Sequence, residues 1–200
     1  MGLIEASGDA FGQTPLDQDE REGLLLTSIT TYAELDEFEQ HNIEHAMQWL
    51  IGRAFKAELV FSEAFVRLVH KQMFGEVWAW AGEFRKSNKN FGVDKWEIVT
   101  ELRKLFDDAN FWYSNAVYPS DELAIRFKHR IVQIHCFPNG NGRHSRLMAD
   151  IIAEKLFKQP VFTWGRKQPI AEQTIRDSYL KAMQLADSGD FSALLKFARS

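Results

Sequence analysis

The chain has 200 residues, a formal net charge of −4, and is 45% hydrophobic and 13% aromatic. That is enough apolar material for one folded domain, and it excludes an intrinsically disordered chain. The acidic balance argues against a general nucleic-acid binder, and the single cysteine, Cys136, excludes an internal disulfide and a cysteine-rich zinc site. A lone cysteine fits a reducing, cytoplasmic setting. The first residues, MGLIEASGDAFGQ, carry neither a basic n-region nor a long apolar run. No stretch approaches the ~20 apolar residues that span a bilayer.

The pattern along the chain is helical. Thr14-Pro15 supplies an N-cap hydroxyl and a proline at the first helical position, followed by an acidic turn and Gly23 as a stop. Thr31 to Glu34 reads as a capping box. Leu35, Phe38, Ile43, Met47 and Leu50 then predict a helix to about Phe55. Ser62 opens the next helix, with Phe65, Leu68, Val69 and Met73 on one face and an end near Gly75. Gly82 to Trp96 breaks the periodicity with basic residues, two glycines and isolated aromatics, and is read as a hairpin or extended flap. Helices follow from about Trp96 to Ser114, from Pro119-Ser120 into His135, from Gly142 to about Phe157, from Gln168 to Asp187, and from Phe191 to Arg199. There is no internal repeat. The division expected is an N-terminal extension over 1–30 and one domain over 31–200.

The chemistry concentrates in IHCFPNGNGRHSR, Ile134 to Arg146. An apolar helix ends at His135. A loop with closely spaced glycines lets backbone N–H groups converge, and the next helix offers its unpaired N–H groups and the positive end of its dipole to the same place. That is an anion site, and phosphate suits it. Arg143 and Arg146 are three apart, on one helix face, with guanidinium forks that match phosphate oxygens. His135 at the lip is a candidate general base, and Phe137 a candidate anchor pointing into the core. His129, His135 and His144, six and nine residues apart, lack a zinc-site spacing. Cys136 reads as a small buried apolar residue rather than a nucleophile. Trp78, Trp80, Trp96, Trp112 and Tyr179 read as core residues rather than base-stacking groups.

The stretch from His135 to Arg146 resembles the Fic signature H-x-F-x-[D/E]-G-N-G-R-x-x-R, matching at His135, Phe137, Gly140, Asn141, Gly142, Arg143 and Arg146. The likeness extends from about Glu34 to Ser200 and includes WAWAGEFRKSN before the flap. TPLDQDEREGLL and GDFSALLKFARS resemble the subgroup called mobile mystery protein B. The resemblance implies an all-α, Fic-type helical bundle with a short β-hairpin flap. It implies a protein adenylyltransferase that moves AMP from ATP to a Ser, Thr or Tyr hydroxyl of a target protein, with Mg²⁺. By that likeness His135 is the base, Gly140, Asn141 and Gly142 stabilise phosphoryl oxygens, and Arg143 and Arg146 hold the β- and γ-phosphates. The flap residues Arg85, Lys86, Ser87, Asn88, Phe91, Gly92 and Val93 would hold the target chain by strand addition. Asn139 stands where the signature has the acidic Mg²⁺ ligand and offers only a neutral oxygen. An inhibitory helix of the family has its nearest match in QDEREG, making Glu22 the candidate inhibitory carboxylate, facing Arg146. The alternative for those residues is a solvated acidic helix start. The subgroup also implies a helix-turn-helix or antitoxin-like partner. Neither direct nucleic-acid binding nor a membrane is expected.

Overall fold

The computed structural model describes residues 21–166 and 172–200. The helix start expected at Thr14-Pro15 and the region of Gln168 lie outside the described residues. The first helix, α1 (Tyr32–Leu50), begins as its sequence dictates. Thr31 Oγ1 accepts from Glu34 N at 3.2 Å, and Glu34 Oε2 accepts from Thr31 N at 3.1 Å and from Thr30 N at 2.8 Å. It stops at Leu50 rather than near Phe55, because Ile51 turns extended and Gly52 takes φ +71°. Its inward face differs from the apolar stripe expected. Phe38 and Met47 are exposed, whereas Glu39 and Asn42 are buried beside Leu35, Ile43, Ala46 and Leu50. Both polar residues have partners. Asn42 Nδ2 donates to Gln72 O and Asn42 Oδ1 accepts from Glu76 N, each at 2.9 Å, so α1 caps the end of the helix it packs on.

That helix is α3 (Glu63–Phe74), reached through the single turn α2 (Ala57–Val60). Ser62 Oγ accepts from Phe65 N at 3.2 Å, and Gly75 is the C-cap, as the sequence predicts. Leu68 is exposed, and His70 takes the inward place instead. α4 (Ile98–Ser114) covers one side of α5 (Ser120–Ile134). α5 buries most of its surface, including Leu123, Phe127 and Ile131, each such apolar side chain contributing about 1.5–3 kcal/mol. Its neighbour α6 (Asn141–Ile151) runs on into a π-helical turn (Ile152–Leu156). α7 (Glu172–Asp187) and α8 (Ser192–Arg199) close the bundle from the C-terminal side.

Residues 21–30 pack on this body. Leu25 N donates to Val77 O at 2.9 Å, Ala79 N to Gly23 O at 2.8 Å, and Ile29 is buried. Leu24 and Trp78 form an isolated antiparallel bridge. The expected hairpin flap is absent. The described residues between Gly82 and Trp96 contain no strand, only turns and bends. The physical reason is Arg85, whose buried side chain joins the two limbs of the loop in place of a ladder. Of the four tryptophans weighed, Trp78 is buried and Trp80 and Trp112 pack on the core, but Trp96 is 82% exposed, with Lys95 Nζ over its ring at 4.9 Å.

Candidate phosphate-binding site in the NGNG loop

α5 ends at His135, whose φ of 54° and ψ of 55° put a non-glycine residue in the left-handed region and turn the chain sharply. The carbonyl of His135 accepts from Arg85 Nε at 2.6 Å, and the ring meets the edge of Phe91 at 4.4 Å. Burial first, then the charges of Arg85 and Lys89, lower the imidazole pKa to about 4. At neutral pH the ring is therefore uncharged and able to accept a proton. An incoming anion would raise its basicity.

Beneath the loop lies a stack of rings. Phe137 is fully buried and lies flat on His70, centroids 3.7 Å apart. His70 Nδ1 accepts from Gly82 N at 3.0 Å, so the proton is on Nε2, which donates to the carbonyl of Asn139 at 3.1 Å. His144 Nε2 donates to Val66 O at 3.0 Å. Burial is the main cause that lowers both pKa values, that of His144 to about 4. These two histidines are neutral struts. Among the described residues no group of three or more His, Cys, Asp or Glu could hold a metal ion.

The loop is closed by Asn141. Its Oδ1 accepts from Phe137 N at 3.0 Å and its Nδ2 donates to Phe137 O at 2.8 Å. Both ends of the amide bond within the loop, so Asn141 holds its shape, and the second Nδ2 hydrogen is left for a further acceptor. Gly140 has φ +75°, and a Cβ there would meet the Phe74 ring at 2.6 Å. Gly142 differs: a Cβ there would meet nothing within 4 Å. The fold therefore needs glycine at 140, while at 142 it leaves open space above the first turn of α6. That turn has no side-chain cap and no acidic residue, which leaves the helix dipole uncompensated by the protein.

The two arginines differ. Arg143 is half-buried, with Nη1 2.5 Å from Glu39 Oε2 and its guanidinium carbon 4.9 Å from the centre of the Phe74 ring. Glu39, 2% exposed, also accepts from Trp78 Nε1 at 2.6 Å. Arg143 is thus held toward α1. Arg146 forms no ion pair among the described residues. Burial lowers its pKa, and the nearby Tyr179 and Asp150 act against that shift. Lys128 is fully buried behind it and donates to Tyr179 Oη and to Met183 Sδ. Burial, followed by the charge of Arg146, puts the Lys128 pKa well below the usual amine range.

The other candidate residues lie in distinct settings. Arg85, assigned to target docking, is 3% exposed and is a structural hub, whereas Lys86, Asn88 and Phe91 lie on the outer, solvent side of the loop. Lys86, Ser87, Asn88, Phe91, Gly92 and Val93 form an irregular loop with no strand edge. Glu22 is exposed and forms no ion pair among the described residues. The carboxylate that meets a signature arginine is Glu39, and its partner is Arg143 rather than Arg146. Asn139 is half-buried, with Oδ1 accepting from Gly140 N at 2.6 Å. It offers one neutral oxygen toward a cation. Sequence reading missed Glu39, His70 and Lys128. The signal available was polar residues on faces where the helical period demands apolar ones: Glu39 follows Leu35 by four, and His70 follows Val66 by four.

The sequence model of the Fic/DOC family matches residues 60–153. Among curated relatives, Protein adenylyltransferase Fic of Drosophila willistoni is 26% identical over 134 residues, covering 64% of this chain and 25% of its own length. Protein adenylyltransferase Fic of Aedes aegypti is 25% identical over 172 residues, covering 80% and 32%. This chain thus spans about a quarter to a third of those proteins. Among solved structures, the BepC effector of Bartonella tribocorum, determined with bound AMPPNP, superposes with a TM-score of 0.65 at 16% identity, over 92% of this chain and 97% of that one. The shared fold is the helical body described above. The segment that matches the Fic/DOC model, residues 60–153, carries the loop, both signature arginines and His135.

Proposed function

We propose that this chain is a protein adenylyltransferase, transferring AMP from ATP to a Ser, Thr or Tyr hydroxyl of a target protein. The observation that carries this is the meeting of a neutral imidazole, an uncapped helix N-terminus with open space over Gly142, and Arg146 without an ion pair among the described residues. His135 accepts the hydroxyl proton as the target oxygen bonds to the α-phosphorus and the bond from that phosphorus to the bridging oxygen breaks, with pyrophosphate leaving. The first turn of α6 stabilises the charge on the phosphate oxygens, and Arg146 holds the terminal phosphates. Positioning and charge are what phosphoryl chemistry asks of a protein. The curated relatives bear the adenylyltransferase name, and the BepC structure contains AMPPNP. Mg²⁺ enters with the triphosphate, Asn139 being at most one neutral ligand. An antitoxin-like or helix-turn-helix partner and a cytoplasmic setting belong to the same reading. No helix among the described residues is long and apolar enough to cross a membrane.

A second reading is a nucleotide-binding module without transfer activity. The neutral Asn139 and the engagement of Arg143 by Glu39 favour it. One experiment separates the two. The protein is incubated with ATP labelled at the α- or the γ-phosphate, as wild type and as His135→Ala. Adenylyl transfer gives protein-bound α-label from the wild type and at least ~100-fold less from the variant. Equal labelling by both proteins ends the catalytic assignment. Label from the γ-position points to transfer of a different group. Nucleotide binding without label supports the silent module.

A further inference from the structure

Arg85 ties several pieces of the site together. Its backbone N donates to Cys136 O at 2.9 Å, and its Nε to His135 O at 2.6 Å. Nη1 donates to Ser87 O at 2.8 Å and reaches Asn88 Oδ1 at 3.5 Å, while Nη2 donates to Val93 O. The near and far limbs of the loop are therefore joined through one planar group, and its remaining edge holds the carbonyl of the residue in the left-handed turn. The loop touches the end of α5 directly as well. Val93 N donates to Ile134 O at 3.4 Å, and Phe91 packs edge-on against the His135 ring. A Cβ on Gly92, at φ +99°, would come within 2.7 Å of His135 Cβ and 3.2 Å of Arg85 Nη2. The outer side of the same loop is braced separately: Asn88 Oδ1 accepts from Lys95 N at 2.8 Å, and Asn88 Nδ2 donates to Asp94 Oδ2 at 2.7 Å.

We infer that Arg85 is a positioning residue that couples the conformation of the 86–93 loop to the placement of His135, so that anything docking on the loop also adjusts the histidine. A guanidinium is suited to this. It is planar, offers five N–H donors in fixed directions and stays charged when buried. Lysine in its place keeps the charge but carries its three donors on one nitrogen, so it cannot span both limbs and the His135 carbonyl together. The inference draws its catalytic meaning from the proposed role of His135. Its test does not use AMP transfer, so the two stand or fall separately.

The experiment uses the full chain with Asn88→Ala, Arg85→Lys and the double variant. Asn88→Ala disturbs the outer limb without touching His135. The readouts are the His135 imidazole resonances and their titration by NMR, and amide exchange over 86–93 and 134–137. Coupling through Arg85 requires that Asn88→Ala alone move the His135 ring signals and speed exchange in both segments, by roughly tenfold for a locally opened loop. In the Arg85→Lys background the same Asn88→Ala change should leave His135 unmoved. Faster exchange confined to 86–93, with His135 resonances unchanged, overturns the inference, as does an equal response of His135 in both backgrounds. Where Arg85→Lys does not fold, an unmoved His135 in Asn88→Ala alone still refutes the coupling.

Discussion

Two glycines, two residues apart, show how a single position can answer to the fold or to a ligand. Gly140→Ala must place a Cβ 2.6 Å from the Phe74 ring at φ +75°. The left-handed conformation alone costs about 1–2 kcal/mol, and the displaced ring adds to it, for a loss of roughly 2–4 kcal/mol in a urea titration. Gly142→Ala meets nothing in the protein, so stability should hold or rise by up to ~1 kcal/mol, since alanine favours the helix. Under the proposed function the same methyl group fills the space over the first turn of α6, and ATP affinity should drop about tenfold or more, read by calorimetry. A Gly142→Ala protein that binds ATP as the wild type does would remove the phosphate from that position. The titratable residues make a second residue-level prediction. His135 and His144, both held at about 4 chiefly by burial, bind a proton less readily in the folded than in the unfolded chain. Stability therefore rises with pH between about 4 and 6.5. Asp150, pushed up to about 6 by burial, works oppositely. Folding makes it hold its proton, so its share of stability falls as pH rises from about 4 to about 6. Asp150→Asn should therefore steepen the rise in urea midpoint across that window. A flatter profile would mean Asp150 is ionised there.

At the scale of elements, the joint between α1 and α6 is polar, made by Glu39 with Arg143 and Trp78. Removing one partner of a buried ion pair leaves the other without compensation, which costs about 3–5 kcal/mol in a dry site. Arg143 is partly open to solvent, so Glu39→Ala should cost nearer ~2–3 kcal/mol. The double variant with Arg143→Ala should cost less than the sum of the singles, and additive losses in that cycle would show that the pair contributes nothing. This joint also marks where the sequence stopped being legible. The caps at Thr31, Ser62 and Gly75 were readable because the signal is local: a hydroxyl or glycine beside a periodic run. The helix boundaries around the glycine loop, at His135 and near Asn141, were readable for the same reason. The inward turn of Glu39 in place of Phe38 was not, because it depends on a tryptophan and an arginine from distant parts of the chain. The hairpin expected over Gly82 to Trp96 failed likewise. Its composition suits a flap, but the bridging is done by one buried side chain, and no local pattern distinguishes such an arginine from an exposed one.

For the molecule as a whole, the site is assembled from the ends of α3, α5 and α6 and from the loop after Gly82, all resting on one continuous core. A ligand that bridges these pieces stabilises the folded chain against unfolding by mass action, about 2.7 kcal/mol at a concentration one hundred times its dissociation constant. For a domain of this size that is a rise in melting temperature of roughly 5–10 °C. ATP should produce it in the wild type, because the helix N-terminus and Arg146 offer a triphosphate more than either alone. AMP should produce much less, lacking the terminal phosphates that Arg146 is proposed to hold. Arg146→Ala should bring the ATP response down to that of AMP. Arg143→Ala, whose guanidinium is already held by Glu39, should lower the melting temperature of the free protein while retaining most of the ATP-induced rise. If instead Arg143→Ala abolishes the rise and Arg146→Ala preserves it, the division of labour between the two arginines is reversed. The Glu39 contact would then be one that the nucleotide has to displace.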